Sequence, residues 1–292
     1  MNMPNATITF TRYNEPNWLV RETLNSLAGQ RGAACQILFL DQQDDPETRD
    51  YTNSLSTKTL DFQYETIPAK SLSYARNCAI ERAKYDTVLY VDCDVIAEPD
   101  WASKMIETLA RPGVGVAGGR IVPKWHARPL LISRARFVLD QYSMLDLGRE
   151  QRTVARIVGA NFGLRRDRLG IQARFDETLG RRGGFLFGGE DTELCNRARN
   201  AGLAVTYDGR ATVQHQVLAD RIRYRWIFKR LYYAGIGRAM QGGLPAPSRA
   251  LGLWDYLALP IVLPFYGLGY IKGRLSLAKA KPPAQSQNET VQ

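Results

Sequence analysis

The run Thr87–Val91 (TVLYV) constrains this chain more than any other stretch: it is almost wholly apolar and stops abruptly at Asp92-Cys93-Asp94. A strand without polar–apolar alternation is buried on both faces, the situation of a parallel strand with helices above and below it. Two other runs behave alike. Residues 6–11 (ATITFT) give way to Arg12-Tyr13-Asn14-Glu15, and residues 36–40 (QILFL) stop at Asp41, ahead of a polar stretch that holds Asp44 and Asp45. Between them the period changes to that of a helix. Val20, Leu24 and Leu27 recur at i, i+4 and i+7 behind Pro16, with Asn14 as the expected cap, and Ala75, Ala79 and Ala83 align over residues 71–83. Residues 62–66 fit a third strand. This alternation predicts an α/β sheet with helices on both faces. In such sheets ligands sit beyond the carboxyl ends of the strands, so the three polar endings converge on one crevice.

The second half is less regular. Residues 114–122 and 157–164 read as strand, 130–147 as helix, and 205–207 and 211–213 as short strands leading to His215. Five glycines within residues 180–189 predict a mobile loop. Residues 190–201 form the clearest helix: Glu190 and Asp191 open it, arginines lie toward its end and Gly202 caps it. Residues 113–118 match G-x-G-x-x-G but lack its context, because the expected helix precedes the glycines instead of following them.

Composition narrows the function. The 292 residues carry 39 Lys and Arg against 29 Asp and Glu, a net charge of +10. That balance favours an anionic partner: nucleic acid, an anionic membrane face or a phosphorylated substrate. The excess is concentrated late, since residues 221–238 hold six basic side chains and no acid, interleaved with aromatics. There Arg221, Arg225 and Lys229 share one helical face, and Ile222, Trp226 and Tyr233 another. A Gly/Pro-rich connector (242–247) leads to residues 251–271, apolar but for Asp255. Residues 256–271 give 16 uncharged positions, interrupted by Pro260 and Pro264, against the roughly 20 that a spanning helix needs. An interfacial, re-entrant or monotopic element is expected, with a core-packing helix pair as the other reading. No nucleic-acid-binding module is recognisable. Four cysteines without a C-x-x-C exclude a zinc ribbon and give no support to a disulfide framework, and two histidines exclude a His-rich metal site. The first ten residues lack a signal-peptide pattern, so the expected compartment is the reducing cytoplasm.

Three features carry chemistry. Asp92 and Asp94, at i and i+2 on a turn after a buried strand, can both face Mg2+ or Mn2+; a solvated acidic turn is the alternative. Glu190-Asp191 suits the field at a helix N-terminus whatever its function, and equally suits a general base on a rigid helix beside a mobile loop. His215 is either structural or a third metal ligand, the latter if the fold returns it to Asp94.

Taken in order, these pieces resemble glycosyltransferase family 2. The resemblance runs from about residue 6 to 215 and rests on Thr11-Arg12-Tyr13-Asn14-Glu15, Asp41, Ala75-Arg76-Asn77, Asp92-Cys93-Asp94, Gly159-Ala160-Asn161-Phe162, Phe175-Asp176-Glu177, Gly189-Glu190-Asp191-Thr192-Glu193 and His215. It implies a GT-A type, Rossmann-like mixed sheet with helices on both faces. It further implies an inverting transfer of sugar from a nucleotide-diphospho-sugar, with a UDP-sugar favoured, to a hydroxyl of a saccharide or lipid-linked acceptor. By the same resemblance Asp191 is the catalytic base. Asp41 reads the base or ribose, Asp92 contacts the ribose or metal side, and Asp94 with His215 holds a divalent cation, Mn2+ or Mg2+. Asn14, Glu15, Arg76 and Glu190 line the substrate pocket. The sequence departs from the family pattern at Asp41-Gln42-Gln43-Asp44-Asp45 and at Arg12, whose extra charge implies a more anionic donor or a phosphate. A catalytically silent module that binds a sugar nucleotide or a partner, and a nucleotidyltransferase, are the rival readings.

The expected organisation is a catalytic domain over residues 1–218, with a donor half at about 1–112 and an acceptor half at about 113–218. A membrane-associating helical segment follows at 219–278, then a disordered tail at 279–292. Polysaccharide or glycolipid synthesis at the inner face of the cell membrane, by a peripheral or monotopic protein, is the expected setting.

Overall fold

A computed structural model describes residues 3–180, 188–240 and 251–280. Most of the glycine-rich stretch, the Gly/Pro-rich connector and the tail from 281 lie outside the described residues.

The amino-terminal half alternates β1 (Asn5–Arg12), α1 (Asn17–Ala28), β2 (Ala34–Asp41), α2 (Pro46–Ser54), β3 (Leu60–Thr66), α3 (Leu72–Arg82) and β4 (Thr87–Val91). Then come β5 (Val95–Ala97), α4 (Trp101–Ala110), β6 (Val114–Trp125), α5 (Arg136–Leu139), β7 (Gln151–Thr153), β8 (Asn161–Arg165), α6 (Arg166–Leu169), α7 (Glu190–Asn200) and β9 (Ala204–Val217). Two helices follow, α8 (Tyr224–Met240) and α9 (Leu253–Ala280). All nine strands join one sheet in the order β3-β2-β1-β4-β8-β6-β9-β5, with β7 pairing on β9. Strands β1 to β4 run parallel, whereas β8 is antiparallel to both β4 and β6. The mixed sheet agrees with the expectation.

The unbroken apolar runs are explained by two cores, one on each face. In β2, Ile37 and Phe39 enter the core beneath α1 and α4, while Leu38 and Leu40 enter the one beneath α3 and α7. In β4, Leu89 and Val91 take the first face and Val88 and Tyr90 the second. Side chains alternate along a strand, so filling both faces requires every residue to be apolar. All four cysteines are buried and unpaired.

Four local expectations are corrected. Asn14 does not cap α1; the N-cap is Pro16, and the Glu15 carboxylate turns back to accept the N–H groups of Tyr13 (2.9 Å) and Asn14 (3.2 Å). Residues 130–147 do not form one helix. They break into short helical turns because Ala135 is extended and Ser143 is left-handed (φ 62°), after which Leu145 bridges to Ile121. Of residues 157–164 only those from Asn161 onward are strand. The two short strands before His215 are one, β9, with a register shift against β6 between Gly119 and Arg120. The strand that begins at Val114 also agrees with rejecting the dinucleotide motif.

The carboxyl-terminal helices pack on each other through glycine. A Cβ on Gly235 would meet the Tyr266 carbonyl oxygen at 2.1 Å, and one on Gly269 the Tyr232 carbonyl oxygen at 1.9 Å. Phe228 stacks on Phe265 at 4.0 Å. Of the apolar side expected at an interface, Ile222, just ahead of α8, is buried, Trp226 stacks on Tyr142 at 5.0 Å and Tyr233 is half-buried, while Ile227 and Leu231 are buried on another side of α8. The exposed apolar stripe lies on α9, where Leu257, Ile261, Leu268, Ile271 and Leu275 share one helical face. Among the described residues no helix is long and apolar enough to cross a membrane.

Candidate active site

The register of the sheet builds the site. Antiparallel pairing sets His215 opposite Val95, and the Gln216 N–H donates to the Asp94 carbonyl oxygen at 2.9 Å. The fold therefore returns His215 to Asp94: Nε2 lies 3.2 Å from Oδ1, with both side chains buried. One ligand atom each from Asp92, Asp94 and His215 lie within 4.8 Å of one another. Two carboxylate oxygens and an imidazole nitrogen suit a divalent cation such as Mn2+ or Mg2+. His215 Nδ1 is buried without a hydrogen-bond partner among the described residues, which fits a ring not wholly committed to the fold.

Arg221 completes this cluster, and the sequence reading missed it. Its Nη1 donates to Asp94 Oδ2 at 2.9 Å. Burial works against its charge, but the charge and hydrogen bond of Asp94, together with Asp220 and Cys93, outweigh it and the pKa is raised. Its only signal in the sequence was membership of a basic run, where it looked like one more surface cation.

Arg76 is the second organiser. It is buried on α3, 5.2 Å from the Phe162 ring and 5.5 Å from Phe175. Nη1 donates to Glu190 Oε1 at 2.8 Å and Nη2 to the Gly159 carbonyl oxygen at 3.1 Å, with Asp92 Oδ1 3.7 Å away. Next to it, Asn77 donates to the Phe175 carbonyl oxygen (3.0 Å) and Glu177 (2.8 Å) and accepts the Phe175 N–H (2.7 Å). Distant sequence motifs are thus tied together around one helix. Gly189, at φ 112°, turns the chain into α7 so that Glu190 and Asp191 face the crevice. Asp191 accepts the Gly159 N–H at 2.9 Å and the Thr192 N–H at 2.7 Å, which fixes the carboxylate's orientation. Asp92, Glu190, Asp191 and Arg76 border one cavity of about 580 Å³.

At the first strand end, Asn14 is exposed and Glu15 half-buried. Glu15 lies against the acidic turn: burial pushes the Cys93 thiol well up, and the carboxylates of Glu15, Asp94 and Asp92 add to the shift. Asp41 is different. Parallel register sets it opposite Arg12, and both side chains are fully buried. Arg12 bonds both carboxylate oxygens, the Tyr64 hydroxyl donates to Oδ2 at 2.6 Å, and the Gln43 N–H donates to Oδ1 at 2.8 Å. Burial and this bond to Asp41 push Tyr64 up to about 12. Arg12 also reaches Asn17 (2.8 Å) and Asp45 (3.3 Å). Arg12 and Asp41 thus satisfy each other beneath the surface.

A sheet with helices on both faces and an acidic D-x-D turn at its carboxyl edge defines the GT-A glycosyltransferase fold. The chain belongs to glycosyl transferase family 2, whose family model matches residues 7–170, and so to a class of transferase enzymes. A glucosyl-dolichyl phosphate glucuronosyltransferase of Haloferax volcanii is 27% identical over 172 residues, 58% of this chain and 55% of that protein. The chain thus spans about half the length of that relative. The succinoglycan biosynthesis protein ExoM of Rhizobium meliloti is 27% identical over 242 residues, 80% of this chain and 75% of that protein. A mannosyltransferase of Pyrobaculum calidifontis, solved in complex with GDP-Man and Mn2+, superposes with a TM-score of 0.61 at 16% identity, covering 97% of this chain and 77% of that one.

Proposed function

We propose that the chain is an inverting, divalent-cation-dependent glycosyltransferase. It moves a sugar from a nucleotide-diphospho-sugar, with a UDP-sugar as the first donor to test, to a hydroxyl of a saccharide or lipid-linked acceptor. The observation that carries this reading is the shared cavity, which brings a D-x-D carboxylate, Asp92, and the α7 carboxylate Asp191 to one space. Asp94 and His215 would hold the cation together with Asp92, and a bound cation supplies Lewis-acid stabilisation to the departing diphosphate. Asp191 accepts the proton of the acceptor hydroxyl as its oxygen attacks the anomeric carbon and the bond to diphosphate breaks on the opposite face. Arg76 holds Glu190 against the sugar-binding side, and Asn14 and Glu15 border the nucleotide. The Pyrobaculum neighbour's GDP-Man and Mn2+ support this class of donor and cofactor, and the Haloferax relative's name supports a lipid-linked acceptor.

Residues 1–218 act as the catalytic domain, with the donor half at about 1–112 and the acceptor half at 113–218. Residues 219–278 associate with a membrane surface at its cytoplasmic face, a reading supported by the exposed stripe on α9.

Asp191→Asn tests the base. Turnover is expected to fall about 10²- to 10⁴-fold, the usual worth of general-base catalysis, with nucleotide affinity retained. A variant that loses nucleotide affinity but keeps its rate contradicts the assignment.

A further inference from the structure

The cavity beside Asp191 has a second wall of different chemistry. On the side made by α8 and α9, Arg156, Arg230 and Arg238 stand among Leu259, Val262 and Leu263. Arg156 is exposed and makes no hydrogen bond or ion pair among the described residues. Arg156 and Arg238 border this cavity together with Tyr266. The acids on this side are Asp140 and Asp255. Asp255 is 1% exposed and accepts the backbone N–H groups of Arg136 (2.6 Å) and Gly252 (2.8 Å), which commits it to the fold. The apolar wall reaches the surface, because Leu263 is 54% exposed on the helix that carries the apolar stripe.

Guanidinium groups match the planar, multidentate acceptors of phosphate, and aliphatic side chains match hydrocarbon. A neutral glycan calls for neither. We propose that this wall is an acceptor subsite for an anionic amphiphile, a phosphate or diphosphate ester of a long hydrocarbon. The phosphate lies on Arg156 and Arg238, the chain runs along Leu259 and Leu263, and the end to be glycosylated faces Asp191. The proposal rests on the glycosyltransferase reading and narrows its acceptor to a lipid phosphate.

The test is calorimetric titration of the full chain, with and without Mn2+ and a nucleoside diphosphate, using decyl phosphate below its micellar concentration, decyl glucoside and inorganic phosphate. Decyl phosphate is expected to bind at least about tenfold more tightly than either other probe. Arg156→Gln combined with Arg238→Gln is expected to lower that affinity at least about tenfold while nucleotide affinity, the control for folding, holds. Equal binding of decyl glucoside, or indifference to the paired substitution, overturns the proposal. Inorganic phosphate binding as tightly as decyl phosphate overturns it too, assigning the arginines to free phosphate. Failure of the donor-site reading shows separately, as absence of nucleotide binding, since decyl phosphate is also titrated without nucleotide.

Discussion

Arg12 sits fully buried against Asp41, so truncating it strands a carboxylate without its counter-charge. Arg12→Ala is expected to destabilise the protein by about 3–5 kcal/mol, the usual cost of breaking a buried pair from one side, measured by urea denaturation. Unchanged stability would return Arg12 to the substrate pocket. This pair also marks where the sequence stops being readable. Asp92, Asp94, Glu190 and Asp191 were legible because each lies next to an element end that the hydrophobic pattern marks. His215 was legible only conditionally, since its return to Asp94 depends on the β5–β9 register. Arg12 and Asp41 are 29 positions apart, and only parallel register makes them neighbours. Nothing local separates an arginine aimed at a ligand from one aimed at a carboxylate at the end of the adjacent strand. Arg221 was hidden in the same manner, by a partner 127 residues distant.

At the scale of elements, the parallel strands and their helices follow from apolar periodicity, which survives any tertiary context. Residues 130–147 do not, because the extended Ala135 and left-handed Ser143 are set by packing against β6 and α9 instead of by local preference. The α8–α9 pair is intermediate. Its existence was readable, but its orientation was not: glycines at 235, 269 and 273 draw the backbones together and turn the Trp226 side of α8 inward. Gly269→Val is expected to force the helices apart, at a cost of about 1–3 kcal/mol. Limited proteolysis should then cut α9 faster than in wild type while the sheet resists as before. Equal cleavage rates would show that the close approach is dispensable.

For the whole molecule, the carboxyl edge of one continuous sheet and the start of α7 bring Asp92, Glu190 and Asp191 to one cavity, whose other side is lined by the helix pair. The net charge of +10 and the apolar stripe on α9 together suit an anionic surface. Replacing Leu257, Leu268 and Ile271 by Ser in the full chain should release it from phosphatidylglycerol vesicles in a flotation assay, by about tenfold or more in bound fraction given the worth of buried apolar side chains. Retention on the vesicles would remove the stripe from the account. If Asp92, Asp94 and His215 form a cation-dependent nucleotide site, calorimetric titration of UDP and GDP with and without Mn2+ will show it. One nucleotide is expected to bind wild type only with Mn2+, to fail to bind Asp94→Ala, and still to bind Asp191→Asn. Nucleotide binding indifferent to both Mn2+ and Asp94→Ala would contradict it.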